Sequence, residues 1–209
     1  MLSDLTGVEI VAVFGSILFS MGIHEAMHAF VAHWLGDTTA SDLGRLTLNP
    51  LKHIDVYTTV ILPLVLILMH IPPFFVAKPV PFNPLRVKYE EYGWALIGIA
   101  GPLTNFILAI LASFVIRFGG IVMGTQIYNI LSIFMQVNLG FFVFNMIPFP
   151  PLDGSRLLYA FAPEPIQRFM QRIEQAGFMT ILVFMLLFFP VIGPAVGNIV
   201  EGLYRFLLA

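Results

Sequence analysis

The 209-residue chain is 58% hydrophobic and 11% charged, with 21 Phe, 10 Met and no Cys. Soluble domains are about 25% charged, so this chain has too little polar surface to cover a water-soluble globule, and lipid is its expected solvent. A formal charge of −2 without a block of Lys or Arg excludes a nucleic-acid footprint, and the missing cysteines leave only His and carboxylates as metal ligands.

The N-terminal MLSDLTGVEI lacks the basic region of a signal peptide and reads as mature chain. Apolar stretches follow near 8–35, 55–76, 93–118, 127–149 and 176–208. A hydrocarbon core needs about 20 helical residues, which the first, third and fourth stretches supply. The second starts after Lys52 and Asp55, contains Pro63 and stops at Pro72-Pro73, so it is short for a crossing. Its flanks are both basic, with Arg45 and Lys52 before it and Lys78, Arg86 and Lys88 after it. Under the positive-inside rule both flanks are cytoplasmic, and 55–76 is expected to re-enter rather than cross. The N-terminus with Asp4 and Glu9, and the uncharged connection 119–126, are expected outside; Arg156, Arg168 and Arg172 place the region after 149 inside.

These signals predict an all-α polytopic membrane protein, a single membrane-embedded domain over 1–209. A three-helix core (8–35, 93–118, 127–149) is joined by the re-entrant 55–76. The segment 37–54 lacks helical periodicity and alternates around Arg45-Leu46-Thr47-Leu48, which predicts a small surface β hairpin able to pair with an extended peptide. The last stretch, interrupted by Pro190, Gly193, Pro194 and Gly197, reads as a helix or a helical hairpin.

The first span contains His24-Glu25-Ala26-Met27-His28. Histidines four apart share a helical face, where both imidazoles can reach one zinc, and Glu25 beside them can take a proton from a metal-bound water. Ionisable groups inside an apolar helix cost several kcal/mol unless paired or metal-bound, which favours a functional reading over packing. A third ligand at position 34 is excluded by Trp34, and no Glu occurs between Glu25 and Glu90. His33 lies about 180° around the helix from His24, and His53 and His70 read as structural or interfacial. Asp153 follows the proline-rich break Pro148-Phe149-Pro150-Pro151-Leu152 and precedes Gly154, so its carboxylate can be turned into the bundle; the competing reading is a helix N-cap. If 8–35 and 127–149 run in the same direction, His24, His28 and Asp153 can meet near the cytoplasmic leaflet.

Together these residues resemble the site-2 protease family of intramembrane metalloproteases. The match comprises His24-Glu25-x-x-His28, Gly36-Asp37, Gly44 to Asp55, Ala77-Lys78-Pro79-Val80-Pro81, Gly101-Pro102-x-x-Asn105 and Asn145 to Gly154, and no PDZ insertion is recognisable. The resemblance implies one zinc per chain held by His24, His28 and Asp153, with Glu25 as base. It implies transmembrane proteins as substrates, cut within or beside their spans in a multi-pass protein of the cell membrane, and a substrate-binding role for Asn145. Asn105 and Gly101 read equally well as close helix packing. The competing functional class is a non-hydrolytic membrane metal-binding or metal-transport protein, which the clustering of His24, Glu25, His28 and Asp153 at one depth disfavours. Oligomeric state is not legible.

Overall fold

The computed structural model describes residues 6–68 and 77–209. Helix α1 (Gly7–Trp34) is opened by a capping box in which Thr6 and Glu9 exchange side-chain and backbone hydrogen bonds. The connection that follows holds α2 (Thr39–Asp42), a 3-10 turn (Pro50–His53), a π-helical stretch (Val56–Ile61) and α3 (Leu62–Leu68). Next come α4 (Glu90–Phe118), α5 (Gln126–Asn145), α6 (Gly154–Phe161) and α7 (Glu164–Gln175). The chain ends in α8 (Phe178–Val183), a π-helical stretch (Phe184–Phe188) and α9 (Phe189–Leu208), with Met179–Leu208 forming one helix of 30 residues.

Four of these helices are long and apolar enough to cross a membrane: α1, α4, α5 and the Met179–Leu208 helix. The last is one helix, not a hairpin. Pro190 falls in the first turn of α9, where a missing N–H costs little, and the π-helical stretch lies just before it. Helix directions follow from the contacts. Asn105 bonds to Ser20 O while His28 bonds to Ile97 O, so α4 runs antiparallel to α1; Glu9 pairs with Asn129 and Phe19 with Phe134, so α5 runs parallel to α1. Tyr204 meets Ser132 while Phe189 meets Phe144, which sets α9 antiparallel to α5.

Helix α4 is the hub, packing on α1, α5 and α6. Its buried face is built of small residues, including Gly98, Gly101, Asn105, Ala109 and Ala112, at spacings of three to four. In lipid no hydrophobic drive brings helices together, so close backbone approach over such a stripe supplies the packing energy.

The predicted β hairpin in 37–54 does not form, and no strand occurs among the described residues. Short polar side chains capture the backbone locally instead. Asp37 accepts from Thr39 N, Asn49 accepts from Leu51 N, and Thr47 Oγ1 accepts from Asn49 N, which favours turns over a ladder. The expected re-entrant stretch 55–76 lies partly outside the described residues, at 69–76; its described part is the π-helical stretch and α3. Both ends of the region are tied together, since Lys78 N donates to His53 O (3.0 Å) and Lys88 N to Leu35 O (2.9 Å).

Asp37 fastens this region. It is fully buried and accepts from Thr39 Oγ1 (2.6 Å), Asn83 N (2.7 Å) and Thr39 N (3.0 Å). Burial opposes its ionisation, but these hydrogen bonds and the Arg86 charge outweigh that and hold its carboxyl below the ordinary value. A depressed folded pKa contributes stability that is present above the unfolded value of about 3.9 and is lost as pH falls through the folded one. Asp37→Asn should therefore destabilise the detergent-solubilised protein by about 1–3 kcal/mol at pH 7. The gap in melting temperature between variant and wild type should narrow below about pH 4; a gap of constant size from pH 7 to pH 3 would refute the assignment.

Candidate metal centre

Helical spacing places His24 and His28 one turn apart on the face of α1 that meets α4, both buried. Their Nε2 atoms are 3.0 Å apart and the rings stand edge to face at 85°. Asp153 Oδ2 closes a triangle, 3.0 Å from His24 Nε2 and 3.3 Å from His28 Nε2. The break after α5 turns this carboxylate inward: Asp153 occupies the position ahead of α6 but its side chain makes no capping bond. Gly154 is required by the turn, because a Cβ there would stand 2.4 Å from Met146 O.

Each imidazole is anchored from behind. His28 Nδ1 donates to the Ile97 carbonyl (2.6 Å) and His24 Nδ1 to the Asn105 amide oxygen (2.6 Å). With the Nδ1 protons so engaged, both Nε2 atoms turn lone pairs toward each other and toward a carboxylate oxygen. Something positive must lie among them, either a further proton on one imidazole or a metal cation. Burial opposes ionisation of Asp153, yet the attraction of His28 and the bonds from both imidazoles outweigh it and hold the carboxyl well below the usual carboxylate range.

The donor set suits a small divalent cation. Two imidazole nitrogens and one carboxylate oxygen are a catalytic zinc set, and tetrahedral coordination at 2.0–2.1 Å implies ligand-to-ligand edges of about 3.3 Å. The three observed edges lie within a few tenths of that length. Gly101 clears the space: a Cβ on it would meet His28 Nε2 at 2.5 Å and His24 Nε2 at 2.6 Å. Gly98 does the same for the segment that carries Asp153, where a Cβ would press on Asp153 O and Arg156 at 2.9 Å.

Glu25 is half-buried, with its carboxylate within 4.8 Å of the imidazole nitrogens, and its Oε2 accepts from Val80 N (3.1 Å). The four residues line a cleft of about 480 Å³. Phe141, Phe144, Ile181 and Met185 give it an apolar wall, while Asp55, Lys78, Arg156 and Glu174 lend it polar ground. Asn145 also lines the cleft; one N–H of its amide is held by Phe141 O (3.0 Å), which leaves the second N–H and the oxygen.

Two further described histidines lie elsewhere: His33 is exposed at the end of α1, and His53 is fully buried, with Nε2 donating to Thr47 O (2.9 Å); His70 is outside the described residues. Arg45 donates to Lys78 O (2.7 Å) and so fixes the segment that carries Val80. Sequence reasoning left one contributor open and missed another. Asn105, which reads equally well as packing, bonds directly to His24, and the end of α7 reaches the cleft through Glu174, 3.9 Å from Arg156. An amide buried one motif away from two histidines was the available signal for the first; nothing in the sequence marked the second.

Gly101→Ala should abolish metal retention. The measurement is metal per chain by elemental analysis after purification and desalting, with helix content by circular dichroism as the control for folding; a folded alanine variant with wild-type metal content would overturn the close approach.

The model of peptidase family M50 matches residues 117–189, a region that holds Asn145 and Asp153. The chain is 37% identical over 175 residues to "Putative zinc metalloprotease YwhC" of Bacillus subtilis (strain 168), covering 80% of this chain and 77% of that one. It is 27% identical over 186 residues to "Putative zinc metalloprotease Rip2" of Mycolicibacterium smegmatis (strain ATCC 700084 / mc(2)155), covering 86% of this chain and 68% of that one. Over 73 residues, 35% of this chain and 21% of the other, it is 40% identical to "Zinc metalloprotease MJ0392" of Methanocaldococcus jannaschii. No solved structure matches significantly. Similarity that runs through most of both chains, with a family model that lands on the Asp153 strand, shows that the chain belongs to peptidase family M50, the site-2 protease family.

Proposed function

We propose that His24, His28 and Asp153 hold one zinc ion and that Glu25 is the general base of an intramembrane metalloprotease. The observation that carries this reading is the triangle of Nε2, Nε2 and Oδ2 atoms, anchored from behind and lying in a cleft between apolar helices. When bound, zinc supplies Lewis acidity to the attacking water and the scissile carbonyl.

The protein's own groups do the rest. Glu25 takes the proton of the attacking water and returns it to the leaving amine. Its Oε2 is held by Val80 N–H, so the carboxylate is oriented before substrate arrives. Asn145, with an N–H and an oxygen unspent at the cleft, is suited to hold the substrate backbone beside the scissile bond. The apolar wall of Phe141, Phe144, Ile181 and Met185 suits the side chains of a transmembrane segment, which must unwind locally because a helical peptide bond spends its carbonyl in the backbone ladder. Substrates are accordingly transmembrane proteins.

Lys78, Arg86, Lys88, Arg156, Arg168 and Arg172 all belong to the end of the bundle where α1 and α5 finish, which supports a centre toward the cytoplasmic face of the cell membrane. The pairing of Lys78 N with His53 O supports re-entry of 55–76, because the stretch between them starts and finishes at one place. In that arrangement water reaches the metal from the cytoplasm without crossing lipid.

Replacing Glu25 by Gln should leave zinc content at one per chain and lower cleavage of a co-reconstituted transmembrane substrate about 100-fold or more. Cleavage at the wild-type rate, followed by gel mobility of a tagged substrate, would show that Glu25 is not the base.

A further inference from the structure

Asn105 and Asn138 are both fully buried, each on a different helix, and neither touches the cleft. Asn105 Oδ1 lies 2.6 Å from His24 Nδ1, and Asn105 Nδ2 donates to Asn138 Oδ1 (3.0 Å). Asn138 Nδ2 in turn donates to Phe134 O (2.8 Å) in its own helix. The three side chains form one file, from a backbone carbonyl of α5 through α4 to the imidazole on α1.

The file has a direction, and its far end sets it. A backbone carbonyl accepts and never donates, so Phe134 O requires the NH₂ side of Asn138. That turns Asn138 Oδ1 toward α4, where it can take only the NH₂ side of Asn105. Asn105 Oδ1 is then left facing His24, which must carry its proton on Nδ1, and His24 Nε2 keeps its lone pair for the cleft. A second acceptor gives the same answer, because Ser20 O also takes a bond from Asn105 Nδ2 (3.4 Å). An amide is nearly symmetric in shape, and an unconstrained Asn105 could turn its NH₂ toward Nδ1 and so draw the proton to Nε2. Two acceptor-only groups forbid that turn.

We infer that Asn105 and Asn138 are positioning residues that fix the tautomer of His24, with Phe134 O as the fixed end of the relay. The inference rests on the reading of His24 as a zinc ligand. His28 achieves the same state with one bond, since Ile97 O can only accept. The two ligands of α1 are thus set by two different devices, and only that of His24 depends on side chains. Outer partners of a ligating histidine raise its basicity and fix its ring, and their loss costs about 10–100-fold in metal affinity.

The experiment measures zinc affinity of the full chain in detergent by competition with a chromogenic chelator, together with the visible spectrum of the cobalt-loaded protein, which reports ligand geometry. Asn105→Leu should weaken zinc about 10–100-fold and alter the cobalt spectrum. Asn138→Leu leaves Asn105 in place with only the longer bond to Ser20 O to hold its amide, and should weaken zinc by a smaller but measurable factor. A purely structural role predicts lower melting temperature with unchanged zinc affinity in Asn105→Leu, and that result overturns the inference. If Asn105→Leu does not fold, Asn138→Leu decides: wild-type affinity and spectrum there also overturn it. His24→Ala separates the two levels. If it binds zinc as tightly as wild type, the ligand reading has failed and the relay with it; if it loses zinc while both Asn variants retain it, the relay alone has failed.

Discussion

Two imidazole nitrogens and a carboxylate oxygen, 3.0–3.3 Å apart inside an apolar bundle, are the constraint that the rest of this structure serves. Such a group is tolerable in low dielectric only around positive charge, and only if its members cannot swing away to find other partners. Three elements therefore have to converge on one point and be held there. Helix α1 brings two imidazoles at the spacing of one turn, and the broken chain after α5 brings the carboxylate. Helix α4, which contributes neither, lies against both. Its glycines are what permit this: Gly101 lets the imidazoles approach the backbone and Gly98 lets the Asp153 segment approach it, where any Cβ would stand within 3 Å of His24, His28 or Asp153. Helix packing and the geometry of the triangle are thus one problem with one solution.

The polar groups around the centre follow from the same constraint. A hydrolytic site in lipid needs water on one side and none on the other. The described connection between α1 and α4 is accordingly closed on itself by backbone bonds from Lys78 to His53 and from Lys88 to Leu35, and fastened by Asp37 and Arg45. These contacts keep the connection at the end of the bundle where the two imidazoles and Asp153 lie, and they lay the Val80 segment against Glu25. Behind the imidazoles, α4 and α5 pack together through buried Asn105, Asn138 and Leu139.

Much of this was legible in the sequence, for reasons that differ by residue. His24, Glu25 and His28 stood out because ionisable groups are costly in an apolar helix, so their presence alone carried information. Asp153 was legible because Pro148, Pro150 and Pro151 forbid a regular helix just where a carboxylate could turn inward, and in the structure it lines the cleft while making no capping bond. The turns of 37–54 were misread as a hairpin. Alternation around Arg45 to Leu48 satisfies a strand pattern, while what decides the conformation is side-chain capture of backbone N–H groups by Asp37, Thr47 and Asn49, which alternation does not register. Asn105 was left open for a different reason. An asparagine in an apolar helix looks the same from sequence whether it bonds to a neighbouring helix or to a ligand, and only the 2.6 Å contact separates the two.

Charge balance explains why the set contains two carboxylates rather than one. A divalent ion held by two neutral imidazoles and Asp153 would leave one net positive charge among apolar helices, and an uncompensated charge at that depth costs several kcal/mol. Glu25, within 4.8 Å of the imidazole nitrogens, supplies the balancing negative charge when ionised. It cannot do so as a fourth ligand without closing the position that water and substrate need. Held by Val80 N–H from outside the ligand triangle, it neutralises the site at short range and remains free to accept a proton. Under the proposed role as base, Glu25 would take up a proton of water with no change in the net charge of the buried group. The carboxylate that would make a metal-loaded centre tolerable in lipid would thereby be the one able to hand its charge to the reaction without leaving the bundle electrically unbalanced.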